Sequence, residues 1–169
     1  HDRDSKDFWS ASWQPVGKPQ DDYTSECRHG IGYTKISSKY AAIETESTYF
    51  VPLNKDIEFW LLKVKNTDSR KRSLRIFTYV EYACNWNVTD DLNNLQYTQY
   101  IADMKVEEGI IDHGTNVNIP EMPEKFEEKD QGRHTFLGVT GAPVTGFDTD
   151  RETFLGPYRT YANPLVVAE

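Results

Sequence analysis

Cys27 and His29 stand two residues apart in the stretch ECRHGIGYTKI, with Arg28 between them and Gly30 and Gly32 just after. A thiol beside an imidazole could serve nucleophilic catalysis, and Arg28 with His29 could hold a phosphate. In an extended chain, residues i and i+2 point to one face, so Cys27 and His29 would share a side of a strand. The sequence supplies no third group to orient the imidazole and no donor for an oxyanion. The two glycines read more simply as a tight bend or a close approach of backbone. The stretch is therefore expected to lead into a strand rather than to carry chemistry.

Other candidates are weighed in the same way. Asp90 and Asp91, in CNWNVTDDLNNLQ, pair two carboxylates that could do acid–base work, but a polar, Asn-rich loop after a strand makes loop capping the expected role. The histidines at 1, 29, 113 and 134 are scattered, with no spacing that would gather them on a metal. GIGYTK lacks the glycine pattern of a dinucleotide or P-loop site. Trp9, Trp13, Trp60 and Trp86, with ten tyrosines, could form a platform on which sugar rings stack. Trp60, within EFWLLKV, reads as a core aromatic; Trp86, in a polar context, is the better platform candidate.

These residues must be held by strands. GYTKISS, IETESTYFVPL, IEFWLLKVKN and RSLRIFTYVEYAC alternate with period two and are rich in β-branched and aromatic residues. Turn chemistry in SSKYAA, PLNKD and NTDSRKR separates them. Segments of this length at this spacing predict an all-β chain of antiparallel sheets packed as a sandwich. Helical stripes are absent. PEMPEKFEEKD (120–130) is expected to be an exposed charged loop, and residues 141–164, rich in Gly, Pro and Asp, mostly loop.

The 169 residues suffice for one domain with a core. A net charge of −8 argues against a nucleic-acid footprint, although Arg70, Lys71 and Arg72 make a small basic patch. No apolar run is long enough to span a bilayer, and no signal peptide opens the chain. Cys27 and Cys84 could be bridged, but are read as free thiols of a reducing, cytoplasmic compartment. The sequon at Asn87 is then a chance match. Both ends of the chain look cut.

Four ordered motifs carry a resemblance: FWSASWQPV, ECRHGIGYTKISSKYAAIETESTYFVPL, NTDSRKRSLRIFTYVEYACNWNVTDD and GFDTDRETFLGPY. Together they resemble the N-terminal domain of inverting disaccharide phosphorylases of the cellobiose phosphorylase type, a group with chitobiose, cellobionic-acid and laminaribiose members. The resemblance implies that residues 1–169 are part of an N-terminal β-super-sandwich, with the catalytic (α/α)6 barrel outside this chain. No residue here is then catalytic, and no metal or cofactor is implied beyond inorganic phosphate as co-substrate. The implied reaction is phosphorolysis of a β-linked glucosyl disaccharide, cellobiose or a close relative, to α-glucose 1-phosphate. The implied partners are the disaccharide, phosphate and a second protomer.

The resemblance also assigns a role to one loop, which reaches the acceptor side of the active site of the neighbouring protomer. The family text there looks like Asn-Tyr-Gln-Arg; here it is Asn94, Leu95, Gln96 and Tyr97. Gln96 matches. Tyr97 replaces a charged fork with a ring and a hydroxyl, so the acceptor pocket is expected to be read differently. Trp86, Asp90 and Asp91 match the text before the loop and are expected to shape its exit. The acceptor is left open among glucose, gluconic acid, N-acetylglucosamine and a 3-linked glucose. The alternative is a carbohydrate-binding module without catalysis, which would bind sugar on its own surface.

Overall fold

The computed structural model of the protein describes residues 1–82, 102–115 and 134–169. The chain is all-β with antiparallel pairing, as the alternating segments predict, and divides into two compact units. The first comprises His1–Phe77 and Asp150–Glu169; the second comprises Thr78–Thr149.

In the first unit, β1 (Thr24–Gly30), β2 (Tyr33–Tyr40), β3 (Ile43–Phe50) and β4 (Phe59–Asn66) pair in sequence order. Ile31 and Gly32 alone join β1 to β2, and Gly32 takes a left-handed φ of 83°. A two-residue connection of this kind sets the register outright. Gly30 then faces Tyr33, whose ring lies across it so closely that an added Cβ would come within 2.1 Å. Both glycines thus have the bend and close-approach roles expected of them.

The β2–β3 turn has a less usual composition. Ala41 and Ala42 both hold positive φ, 47° and 63°, a region where an L side chain costs about 1–2 kcal/mol. Contacts from elsewhere hold it there. Arg72 Nη1 donates to the Ala41 carbonyl at 2.9 Å, and the Thr67 amide and hydroxyl donate to the Ala42 carbonyl at 2.9 and 2.8 Å.

Register sorts the side chains into rows. On one face Lys39, Glu44 and Lys65 lie opposite one another across three strands, as do Ser37, Glu46 and Lys63. Glu44 pairs with Lys39 and Lys65, and Glu46 with Lys35 and Lys63. These pairs are solvated and each is worth little. On the other face lie Ile43, Ser38, Thr45 and Ser47, all buried. The N-terminal segment covers this end. Ser38 Oγ donates to the Ala11 carbonyl at 2.7 Å and sits 2.6 Å from Thr45 Oγ1. The Tyr23 hydroxyl donates to the Ser10 carbonyl and accepts from the Trp13 amide. Asp7 accepts from both Lys18 and Tyr40, and burial together with the Asp7 carboxylate pushes the Tyr40 phenol up to about 12.

Three expectations are corrected here. RSLRIFTYVEYAC was expected to form a strand. Leu74 makes a single bridge to Asp2, and residues 75–82 form no strand. Arg72, at the start of that segment, is committed to Asp2, Asp68 and Ala41, which ties the chain to the N-terminal residues instead of to the sheet. Trp60 was expected in the core but is 45% exposed. It lies on β4, the last strand of this sheet among the described residues, with its ring edge-on to Tyr49 at 5.9 Å. The basic patch is also partly neutralised, since Arg70 pairs with Asp68 and Arg72 with Asp2.

Residues 141–164 are mostly loop, as expected. They are interrupted by α1 (Arg151–Leu155), whose start is capped by the Asp150 side chain accepting from the Thr153 amide. A second short helix, α2 (Leu165–Ala168), ends the chain. The second unit contains β5 (Ala102–Glu107), β6 (Ile110–Thr115) and β7 (Thr135–Gly138), again antiparallel and in sequence order. Glu108 and Gly109 form its first turn with φ of 51° and 81°, the left-handed pair such a hairpin needs. Cys84, Asn87 and the charged run 120–130 lie outside the described residues.

Replacing Ala42 by Gly should stabilise the protein by about 1 kcal/mol, because the left-handed turn then carries no Cβ penalty; chemical denaturation measures it. Acid should do the opposite through Asp2. Burial alone would raise its pKa, but the Asp4 amide, Arg72 and Ser5 outweigh burial and hold the folded value at about 2, against an ordinary 3.8. A folded value below the ordinary one stabilises above the ordinary pKa and is lost as pH falls toward the folded value. Unfolding midpoints should therefore drop between pH 3.8 and about 2, and drop less in Asp2→Asn.

Candidate functional site

The five residues singled out for sugar contact, Trp86, Asp90, Asp91, Gln96 and Tyr97, lie outside the described residues. The structure does show what holds the chain on either side of them. Before them, the Tyr82 ring stacks on His113 of β6, with centroids 5.0 Å apart and planes 26° from parallel. After them, Ala102 begins β5 and pairs with Thr115 of the same β6. Met104, two residues on, faces His113. Tyr82 and Ala102, the described residues that flank 83–101, thus lie within two register positions of one another on β6.

His113 is built to be an anchor. It is 1% exposed and its Nδ1 lies 3.0 Å from Thr135 Oγ1 on β7. Burial holds its pKa below the ordinary histidine value, with His134 acting in the same direction and Asp112 against it. Burial also raises the Tyr82 phenol. The neutral ring can therefore stack without carrying a buried charge. Asp112, the next residue, faces the opposite side of the strand and takes His134 Nδ1 at 3.0 Å in an exposed pair. The sequence reading found no role for His113, because its partners Tyr82 and Thr135 lie far from it in sequence and only strand pairing brings them together.

In the first unit, Cys27 and His29 do share a face of β1, as i and i+2 must. Sγ lies 3.5 Å from Nε2. The expectation that no third group orients the imidazole is corrected: Thr34 Oγ1 lies 3.0 Å from His29 Nδ1. The cause is register. The two-residue turn pairs Gly30 with Tyr33, so His29 is paired directly with Thr34. The signal was present in the turn length, which places residues i and i+5 opposite one another. In the tautomer that carries its proton on Nδ1, His29 donates to Thr34 and Nε2 faces the thiol. Arg28 points to the other face, where its Nε donates to Glu26 at 2.8 Å, so it does not join His29 in an anion site. Beside His29 lies an open cleft of about 380 Å³, walled by Tyr33, Thr34, Tyr49, Phe50 and Glu58.

Among the described residues, no group of three His, Cys, Asp or Glu side chains is placed to hold a metal ion, and no helix is long and apolar enough to cross a membrane.

Comparison with known proteins adds what the geometry leaves open. Residues 1–169 match the family described as glycosyl hydrolase 94, supersandwich domain. The chain is 34% identical to an N,N′-diacetylchitobiose phosphorylase of Vibrio proteolyticus over 168 residues, covering 99% of this chain and 20% of that protein. A second such phosphorylase, from Vibrio furnissii, is 33% identical, with 99% and 20% covered. A solabiose phosphorylase of Paenibacillus borealis is 27% identical, with 96% of this chain and 19% of that protein covered. The chain thus spans about a fifth of the length of these curated relatives. The ordered motifs, the antiparallel all-β structure and the match over the whole chain agree, and the chain belongs to the glycosyl hydrolase 94 supersandwich domain family.

Proposed function

We propose that this chain is the sandwich part of a disaccharide phosphorylase and that segment 83–101 serves the acceptor sugar of its active site. The observation that carries the reading is the family match across residues 1–169, supported by relatives that are themselves named as phosphorylases. The tethering of segment 83–101 at Tyr82 and Ala102 is what a loop that reaches outward would need.

In the proposed reaction, inorganic phosphate attacks the anomeric carbon from the face opposite the leaving sugar. An aspartate of a helical barrel outside this chain protonates the glycosidic oxygen, and one displacement inverts the centre to give an α-sugar 1-phosphate. Phosphate stands where an inverting hydrolase holds base-activated water, so a second carboxylate base is not required. Gln96 hydrogen-bonds the acceptor sugar, Tyr97 offers a ring face and a hydroxyl, and Trp86, Asp90 and Asp91 shape the loop's exit. The loop acts in trans, across a homodimer, in the cytoplasm.

The substrate is a β-linked glucosyl disaccharide, cellobiose or a close relative. A second reading, an N-acetylglucosaminyl disaccharide, is favoured by the two Vibrio relatives. Phosphate-dependent cleavage of cellobiose against N,N′-diacetylchitobiose by the full-length polypeptide separates the two, and cleavage of neither would end both substrate readings. Gln96→Ala should raise the acceptor KM in the synthetic direction about tenfold, the loss of one or two hydrogen bonds to a sugar. Its kcat should change far less; an unchanged acceptor KM would remove the loop from the site.

A further inference from the structure

We propose that Tyr82 and His113 are positioning residues for the acceptor sugar, a ring stack that sets where segment 83–101 leaves β6. This role rests on the reading of that segment as the acceptor loop. The described residues that flank it are held to β6 by different means. Ala102 opens the β5–β6 ladder, which runs on to the pair Glu107 and Ile110. Backbone hydrogen bonds hold that side whatever the side chains are. On the other side residues 75–82 form no strand, and the Tyr82 ring on His113 stands in place of a ladder, with centroids 5.0 Å apart and planes 26° from parallel.

His113 sits on the middle strand of its sheet, between Met104 of β5 and Thr135 of β7, and is 1% exposed. Thr135 Oγ1, 3.0 Å from Nδ1, fixes the ring plane that Tyr82 meets. Two rings in near-parallel contact prefer a particular offset and angle, so the stack specifies a direction as well as a contact. If it opens, less of the protein holds the loop where the sugar needs it, and apparent acceptor affinity falls with that population. Protonation would place a charge in a buried site. Met104 and Thr135 face the imidazole from the neighbouring strands and carry no charge, and Tyr82 is a neutral phenol. Asp103, Lys105, Asp112 and His134 lie on the opposite face; of these, Asp112 favours the proton and His134 opposes it. Burial lowers the pKa of the stacked ring from the ordinary 6.5, so a solvated ring takes up a proton first. The stack is therefore at full strength above pH 6.5 and weakens as pH falls below it.

The test uses the full-length polypeptide in the synthetic direction, with α-glucose 1-phosphate and glucose, and with N-acetyl-α-glucosamine 1-phosphate and N-acetylglucosamine. The sugar 1-phosphate is the internal control, because the loop is assigned to the acceptor alone. Tyr82→Leu and His113→Leu should each raise the acceptor KM about three- to tenfold, the ordinary worth of an aromatic pair. Donor KM and kcat should change little, which also shows that each variant is folded. Tyr82→Phe and His113→Phe keep two rings in contact and should restore the acceptor KM at neutral pH. Below pH 6.5 the ratio of acceptor KM to donor KM should rise in the unmutated protein and in Tyr82→Phe, and rise less in His113→Phe. If His113→Leu does not fold, Tyr82→Leu, at a half-buried residue, carries the test. Gln96→Ala, run alongside, separates two failures. An acceptor KM unmoved by Gln96→Ala, or turnover of neither sugar pair, overturns the acceptor-loop reading and this role with it. An acceptor KM raised by Gln96→Ala but not by either leucine variant, or donor and acceptor KM raised alike by them, overturns the positioning role alone.

Discussion

Two turns of two residues each govern the first unit. Once Ile31–Gly32 and Ala41–Ala42 close their hairpins, every residue of β1, β2 and β3 has a set partner on each hairpin neighbour and one face. A slip of one residue would carry Ile43, Thr45 and Ser47 to the outside and put Glu44 and Glu46 in their place. The first turn is easy because Gly32 carries no Cβ. The second is difficult because Ala41 and Ala42 carry one each, and it persists because Arg72 and Thr67 bond both carbonyls from outside the hairpin. Arg72 is held in turn by Asp2 and Asp68. Local strain at one turn is thus connected to the N-terminal residues and to the loop after β4.

The same constraint explains where chemistry can sit. A row across an antiparallel sheet brings together residues that are distant in sequence, and the row through His29, Thr34, Tyr49 and Trp60 does so on all four strands. One end of that face is covered by the N-terminal segment through Ser38, Thr45 and Ala11, whereas Trp60 toward the other end is half exposed. The second unit uses pairing differently. There β6 carries an anchor, His113, on one side and an exposed Asp112–His134 pair on the other, so adjacent residues have opposite duties.

The division of labour within the proposed enzyme is also physical. Bond cleavage with inversion needs an acid on one side of the anomeric carbon and phosphate on the other. Nothing in the described residues assembles such a pair.

Much was legible in the sequence. Period-two alternation located β2, β3 and β4 to within about three residues at each end; in β3 it matches alternating burial, whereas β4 is exposed on both faces, and SSKYAA, read as a turn, gives four of its six residues to β2. The glycine roles at 30 and 32 followed from backbone sterics alone. The motifs carried the family, because their order and spacing reflect a scaffold. What the sequence could not decide was everything that depends on a partner far along the chain. Trp60 reads as core from its neighbours, yet among the described residues β4 is the last strand of its sheet and the ring is half exposed. RSLRIFTYVEYAC has strand composition, yet Arg72 ties its start to Asp2. Thr34 becomes the third member of a Cys–His group only because a two-residue turn sets it opposite His29. Composition and spacing record local preference, whereas coverage of a face and completion of a site depend on tertiary pairing, in which one long-range contact can outweigh the preference of a whole segment.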